Sequence, residues 1–155
     1  MVDYLVKPSQ LDYDELIMGM RMRPADKREL WLSHKQRPAE GLRHTCRTSI
    51  RCLSGFQDGR LVAMWGVSVE SLLGGVGVPW FTSSEEVDDH PISFLRASRE
   101  GLEELSEGFA LLTNYVSVDH SKAIRWLTWL GFTLEPPAPY GPFGSLFHRF
   151  TLEVE

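Results

Sequence analysis

Two hydrophobic periods alternate along this chain and divide it into strands and helices. Tyr4 to Val6 reads as a short opening strand; Ser9 then offers an N-cap, and Tyr13, Leu16, Ile17 and Met20 recur at helical spacing. Pro24 and Pro38 each stand where a first helical residue would, so Ala25 to Lys35 and Ala39 to Ser49 are predicted helices, with Leu42 and Cys46 on one face. Arg51 to Gln57 and Arg60 to Glu70 are strand-like and are joined by Asp58-Gly59, a pair suited to a tight primed turn. Gly74 to Thr82 follows as a third long strand, in which Pro79 cannot donate a ladder hydrogen bond and so predicts a bulge or a splay.

After an acidic loop, Pro91 opens a long helix whose Phe94, Leu95, Leu102 and Leu105 form one face, expected to pack on the sheet. Ala110 to Val118 is the next strand. Asp119 or Ser121 caps a helix with Ala123, Ile124, Leu127 and Leu130 inward, and Gly131 stops it. The stretch Pro136 to Pro142 reads as a connecting loop, and Leu146, Phe150, Leu152 and Val154 mark a final strand. The order is strand, two or three helices, three strands, helix, strand, helix, strand. It predicts one α/β (α+β) domain over residues 1–155, with a mixed, mostly antiparallel, splayed sheet and helices on both faces.

At 155 residues the chain suffices for one core. No apolar run approaches the roughly 18 residues of a membrane span, so a soluble, cytoplasmic protein with no membrane partner is expected. Cys46 and Cys52 fit neither the redox Cys-x-x-Cys spacing nor a zinc pair and read as free, buried thiols. The net charge of -5 is uneven: between Arg21 and Arg51 nine Lys/Arg face three acidic residues, a balance of +6 that leaves -11 for the rest. Such a basic segment suits either nucleic acid, an acidic partner or the protein's own acidic surface. It carries no nucleic-acid motif, so the last is expected.

The segment Val118 to Phe132, ending Leu130-Gly131-Phe132, resembles the strand-to-helix segment of the GNAT N-acetyltransferase superfamily, and the element order resembles it over nearly the whole chain. Asp88-Asp89-His90-Pro91 ahead of Phe94-Leu95-Arg96, then Asn114-Tyr115-Val116 and Arg125-Trp126-Leu127, look like a small phage-encoded group that includes an internal virion protein of short-tailed phages. If phage-encoded, the chain would sit in the host cytoplasm or with the virion.

The resemblance implies a cofactor, acetyl-CoA, whose pyrophosphate would meet the turn opening the long helix, where helix N–H groups favour anions. Here that turn, Thr82 to His90, has no glycine and carries Glu85, Glu86, Asp88 and Asp89. Trp80, Phe81, Thr82, Ser83, Ser84 and His90 are the candidate cofactor contacts. The tyrosine that serves the family as general acid falls at Leu127, and the asparagine of the cap region falls at His120. A relocated acid would be Tyr115, Tyr140 or His120, since the role needs position and pKa more than one residue type; Tyr115 and His120 are the catalytic candidates. His120 equally suits a capping role, and Asp88-Asp89-His90 cannot converge on one ion unaided, so no metal site is expected.

The first function these features imply is a divergent GNAT-fold protein, phage-type, binding an unknown small molecule or protein, with weak or no use of acetyl-CoA. The second is an active N-acyltransferase with a relocated acid. The third is nucleic-acid or acidic-partner binding through residues 21–51.

Overall fold

The computed structural model describes residues 3–155. Its strands are β1 (Tyr4–Pro8), β2 (Arg51–Gln57), β3 (Arg60–Ser71), β4 (Val76–Ser83), β5 (Leu111–Ser117), β6 (Thr133–Leu134), β7 (Ala138–Tyr140) and β8 (Ser145–Glu153). Its helices are α1 (Asp14–Arg21), α2 (Pro24–His34), α3 (Pro38–Thr48), α4 (Pro91–Ser106) and α5 (Ser121–Leu130), with a 3-10 turn at Glu85–Asp89. They form one sheet in the order β1-β2-β3-β4-β5-β8-β6, with β7 paired to β8. All neighbours are antiparallel except β4 and β5.

The hairpin turn takes positive φ at both Asp58 and Gly59, as a primed turn requires. Strand alternation then assigns the two faces. Met64, on β3, joins Met18, Met22, Leu42 and Leu61 in a core under α1, α2 and α3. Val67, on the other face of β3, joins Leu105, Leu112, Val116, Leu127 and Phe150 in a second core under α4 and α5. Gly19 of α1 lets α3 approach so closely that a Cβ there would meet the Ala39 backbone nitrogen at 3.0 Å.

The predicted splay is present. Pro79 stays in register opposite Val67 of β3, but β4 pairs with β5 only at Val76 with Leu111 and Gly77 with Leu112. Beyond that point the strands part, and the Asn114 side-chain amide spans the gap to donate to the Pro79 carbonyl at 2.7 Å.

Three expectations need correction. First, Cys46 and Cys52 are joined in a disulfide with Cα atoms 5.5 Å apart, because the end of α3 turns back directly into β2. Closing so short a loop stabilises the fold by about 2 kcal/mol. Ellman titration of the unfolded, unreduced protein should therefore find no free thiol, and reduction should lower the unfolding free energy by that amount. Second, Pro136 to Pro142 is not all loop. Ala138–Tyr140 is β7, and Thr133–Leu134 is a further short strand. Third, the cap of α5 is neither Asp119 nor Ser121 but His120, whose ring accepts from the Ala123 N–H. The long helix packs on the sheet as expected: Leu105 is buried in the core, Leu102 packs against it, Phe94 meets Phe81 of β4, and Arg51 of β2 ties down the helix end by donating to the carbonyls of Glu104, Leu105 and Glu107.

Candidate functional site

Where β4 and β5 part, a cavity of about 690 Å³ opens between them and runs on beneath α4. Its walls are mainly apolar. Phe81, Phe94 and Trp126 form an aromatic cluster with ring centroids 4.7 to 5.8 Å apart, and Trp65 adjoins Phe81 at 6.4 Å. At such separations the rings hold one another as well as the α4–α5 contact.

The polar end of the cavity comes from α2, a helix with no fully buried residue. Arg23, Asp26 and Glu29 recur every three residues and so point from one side of it into the cleft. Asp26 is a hub. Its carboxylate accepts from the Thr82 hydroxyl at 2.9 Å, the Ser83 N–H at 3.2 Å and His120 Nε2 at 2.7 Å, joining α2 to β4 and α5. With His120 Nδ1 accepting from Ala123 N–H at 3.3 Å, the neutral ring carries its proton on Nε2. Burial alone would depress the His120 pKa, but the hydrogen bond and charge of Asp26, reinforced by Glu29, leave it raised.

Glu29 accepts from the Ser117 N–H at 3.0 Å. Burial dominates its titration and, aided by the Asp26 charge, lifts its pKa to about 7 against the opposing pull of Ser117 and His120. A carboxyl poised near neutrality in a cleft has the protonation range of a general base or acid.

The acidic turn is held by cations. Arg23 grips Asp88 in a two-point contact at 2.6 and 2.9 Å, and Lys122 reaches the same carboxylate at 2.7 Å. The Arg23 hydrogen bond, working against burial and joined by Lys122, lowers the Asp88 pKa to about 2. Glu86 is paired with Arg60 at 3.1 Å. The repulsion that four bare carboxylates would exert is thus partly cancelled.

The remaining candidates are distributed as follows. Trp80 lies on the opposite face of β4 from Phe81, where its indole donates to Ser49 Oγ at 2.8 Å. Thr82, Ser83 and Ser84 are buried, and each hydroxyl is engaged: Thr82 with Asp26, Ser83 with Arg23 Nε at 2.9 Å, Ser84 with the Glu86 N–H. His90 occupies the N-cap position of α4 without a side-chain cap bond. Tyr115 lines the cleft and stacks on Tyr140 with centroids 3.9 Å apart; burial, Tyr115 and Glu70 raise the Tyr140 pKa. Leu127 is buried in the core. Among the described residues no group of three or more His, Cys, Asp or Glu is placed to hold a metal, and no helix is long and apolar enough to cross a membrane.

The basic segment spends much of its charge internally. Arg21 donates to the Leu61 carbonyl, Arg28 pairs with Asp119, and Arg43 pairs with Asp12 and with the fully buried Glu15.

Sequence reasoning overlooked Asp26 and Glu29. The available signal was their i, i+3 spacing after Arg23 on a helix with too few apolar residues to be held by its core face alone.

No family model and no curated protein matches the chain. Solved structures do. The RimL ribosomal L7/L12 alpha-N-protein acetyltransferase, in complex with coenzyme A, superposes with a TM-score of 0.73 at 9% identity, over 97% of this chain and 94% of that one. The Vibrio cholerae spermidine N-acetyltransferase with CoA and spermine gives 0.69 at 12%, over 97% and 95%. A GCN5-related N-acetyltransferase from Kribbella flavida gives 0.69 at 15%, over 97% and 98%. The chain has the GNAT fold. These structures lend the narrower phage resemblance no support, and it rests on the sequence segments alone.

Proposed function

We propose that this GNAT-fold protein binds a ligand in the splayed cleft and uses acetyl-CoA weakly or not at all. Fold likeness alone does not carry an activity, so the reading rests on the site. The observation behind it is the Asp88 clasp. The protein's own carboxylate occupies Arg23 and Lys122 at the turn that opens α4, while the Thr82, Ser83 and Ser84 hydroxyls are committed to internal bonds. This arrangement competes with a diphosphate, which would have to displace Asp88 from Arg23 and Lys122 or rely on the backbone N–H groups of the turn alone. The resemblance to a phage virion protein adds a virion-associated setting to this proposal. Nucleic-acid binding through residues 21–51 is not proposed, given the internal partners of Arg21, Arg23, Arg28, Arg43 and Arg51.

The test is an acetyl-CoA titration read by thermal shift and calorimetry. The expected dissociation constant is weaker than about 100 μM, at which 1 mM cofactor stabilises the fold by about 1.4 kcal/mol or less. Micromolar or tighter binding would overturn the proposal.

One observation favours a second reading, acyl transfer to an amine: Glu29, with its pKa raised to about 7, lines the cleft beside His120, and Tyr115 belongs to the same lining. In that reading Glu29 takes the proton from the attacking amine, and His120 or Tyr115 supplies the acid. Release of CoA thiol above about 1 per second, lost in Glu29→Gln, would establish it over the first.

A further inference from the structure

The outward face of α1 is apolar where a surface helix is normally polar. Its inward side is taken up by Met18, by Met22 just past its end, and by Gly19 against α3. On the side turned away from these, Tyr13 at the N-cap position, Leu16 and Met20 are 61%, 46% and 76% exposed. Their spacing puts them on one stripe of the helix. The acids between them, Asp14 and Glu15, are turned inward and buried, so the charges that border the stripe stand at its ends: Asp12 before the helix and Arg21 in its last turn. Single exposed apolar residues are ordinary, but a contiguous row marks a contact surface.

The two ends of the stripe determine what fits it. Asp12 is largely exposed and shares Arg43 with the buried Glu15, so its charge is only partly neutralised. Arg21 gives one N–H to the Leu61 carbonyl and has others to spare, since a guanidinium carries five. A row that is acidic at one end, apolar along its middle and basic at the other is complementary to itself turned end for end. Two α1 helices laid antiparallel about a two-fold axis set Tyr13 against Met20, Leu16 against Leu16 and Asp12 beside Arg21. Their dipoles then also attract. The sheet edges discourage strand pairing between copies, β1 through Lys7 and Pro8 and β7 through Pro139.

We propose that the outward face of α1 is a self-association surface, which joins a second copy of this chain in a two-fold dimer through antiparallel α1 helices. This face belongs to the side of the sheet opposite α4, so the inference is independent of the ligand cleft. With eight residues, α1 is about 12 Å long. A seam of that length is at the small end of protein interfaces, and a dissociation constant of about 10 to 100 μM is expected.

The test is sedimentation velocity of the natural protein from about 5 to 500 μM, over which the dimer fraction should rise by mass action. Met20→Glu sets a carboxylate against Tyr13 and near Asp12 of the other copy, and should weaken the dimer at least tenfold. Met20→Lys faces that same Asp12 with the opposite sign and should weaken it less. Asp12→Asn keeps a residue type that tolerates the positive φ there, and should weaken the dimer about two- to threefold, as loss of an exposed ion pair does. Because Met20 projects into solvent, its variants should keep the natural melting temperature. Leu16→Cys lies nearest the axis and should cross-link to itself under mild oxidation, whereas Glu103→Cys, exposed on α4, should not.

A monomer throughout the concentration range would overturn the proposal. So would a dimer that Met20→Glu leaves intact, one that Met20→Lys disrupts more than Met20→Glu, or equal cross-linking by Leu16→Cys and Glu103→Cys. A monomer that instead floats with phosphatidylcholine vesicles would assign the stripe to a lipid surface and overturn it as well. These outcomes are separable from the acetyl-CoA titration: tight cofactor binding would remove the preceding reading and leave a Met20-sensitive dimer standing, and a monomer would leave the cofactor result as it is.

Discussion

Asp26→Ala should lower the unfolding free energy by about 3 kcal/mol, the largest loss expected from any single polar substitution in this fold. The carboxylate satisfies three donors at once: the Thr82 hydroxyl, the Ser83 N–H and His120 Nε2. Thr82, Ser83 and His120 are all buried, so alanine strands three polar groups away from water instead of removing one bond. The damage should spread beyond α2, because His120 is also the cap of α5 and Thr82 sits in β4 at the mouth of the splay. Against the 5 to 15 kcal/mol typical of a whole domain, a loss of about 3 is large. Asp26→Asn retains an acceptor for His120 and should cost less, while removing the charge that raises the imidazole pKa. The checks are urea denaturation of both variants and NMR titration of His120 in the Asn variant. A loss under about 0.5 kcal/mol in Asp26→Ala would show that water replaces the carboxylate and that the three elements are not joined through it.

The architecture could be read from the chain because its signals are local. Asp58-Gly59 sets the hairpin, Pro24, Pro38 and Pro91 start helices, Gly131 ends one, and Pro79 marks where β4 leaves β5. Each acts through its own φ or missing N–H, so neighbours in space scarcely alter it. Short strands β6 and β7 escaped because they exist by pairing with β8, and nothing in two or three residues announces a partner. The disulfide escaped because closure depends on how α3 turns into β2, not on spacing alone.

The polar half of the site was hidden for a related reason. Asp26 and Glu29 lie in a segment whose sequence is dominated by lysine and arginine, so charge counting merges them into a basic stretch, whereas the fold turns just those two carboxylates toward His120 and Ser117. The aromatic half was partly visible. Phe81 was placed at the cleft by its position at the end of β4, but its partners Phe94 and Trp126 arrive from α4 and α5, and that convergence is tertiary. The same holds for the acidic turn. Four carboxylates in sequence imply repulsion, but Arg23, 65 residues from Asp88, turns one of them into a clasp.

Glu29→Gln should make the protein more stable than the natural sequence at pH 8 and leave it no more stable at pH 4.5. The Glu29 carboxyl has an ordinary pKa of 4.5 in the unfolded chain and about 7 in the fold, chiefly through burial. A carboxyl with a raised folded pKa holds its proton more tightly when folded. Its favourable contribution is complete below about 4.5 and is lost as pH rises through about 7. The loss amounts to about 3 kcal/mol between those limits. His120 acts in the same sense, because a raised imidazole pKa contributes stability that is present at low pH and lost as pH climbs through the folded value. The two groups see each other's charge, so a single broad decline is expected instead of two steps. Glutamine keeps the oxygen that accepts from the Ser117 N–H but cannot ionise, and should remove most of that decline, leaving the part due to His120. Urea midpoints at pH 4.5, 6 and 8 for both proteins measure the effect directly. Parallel profiles would mean that Glu29 reaches water and titrates normally. A flattened profile would mean that the natural chain retains an ionisable group at the cleft despite a stability cost near neutral pH, as groups that meet a ligand's proton or charge often do.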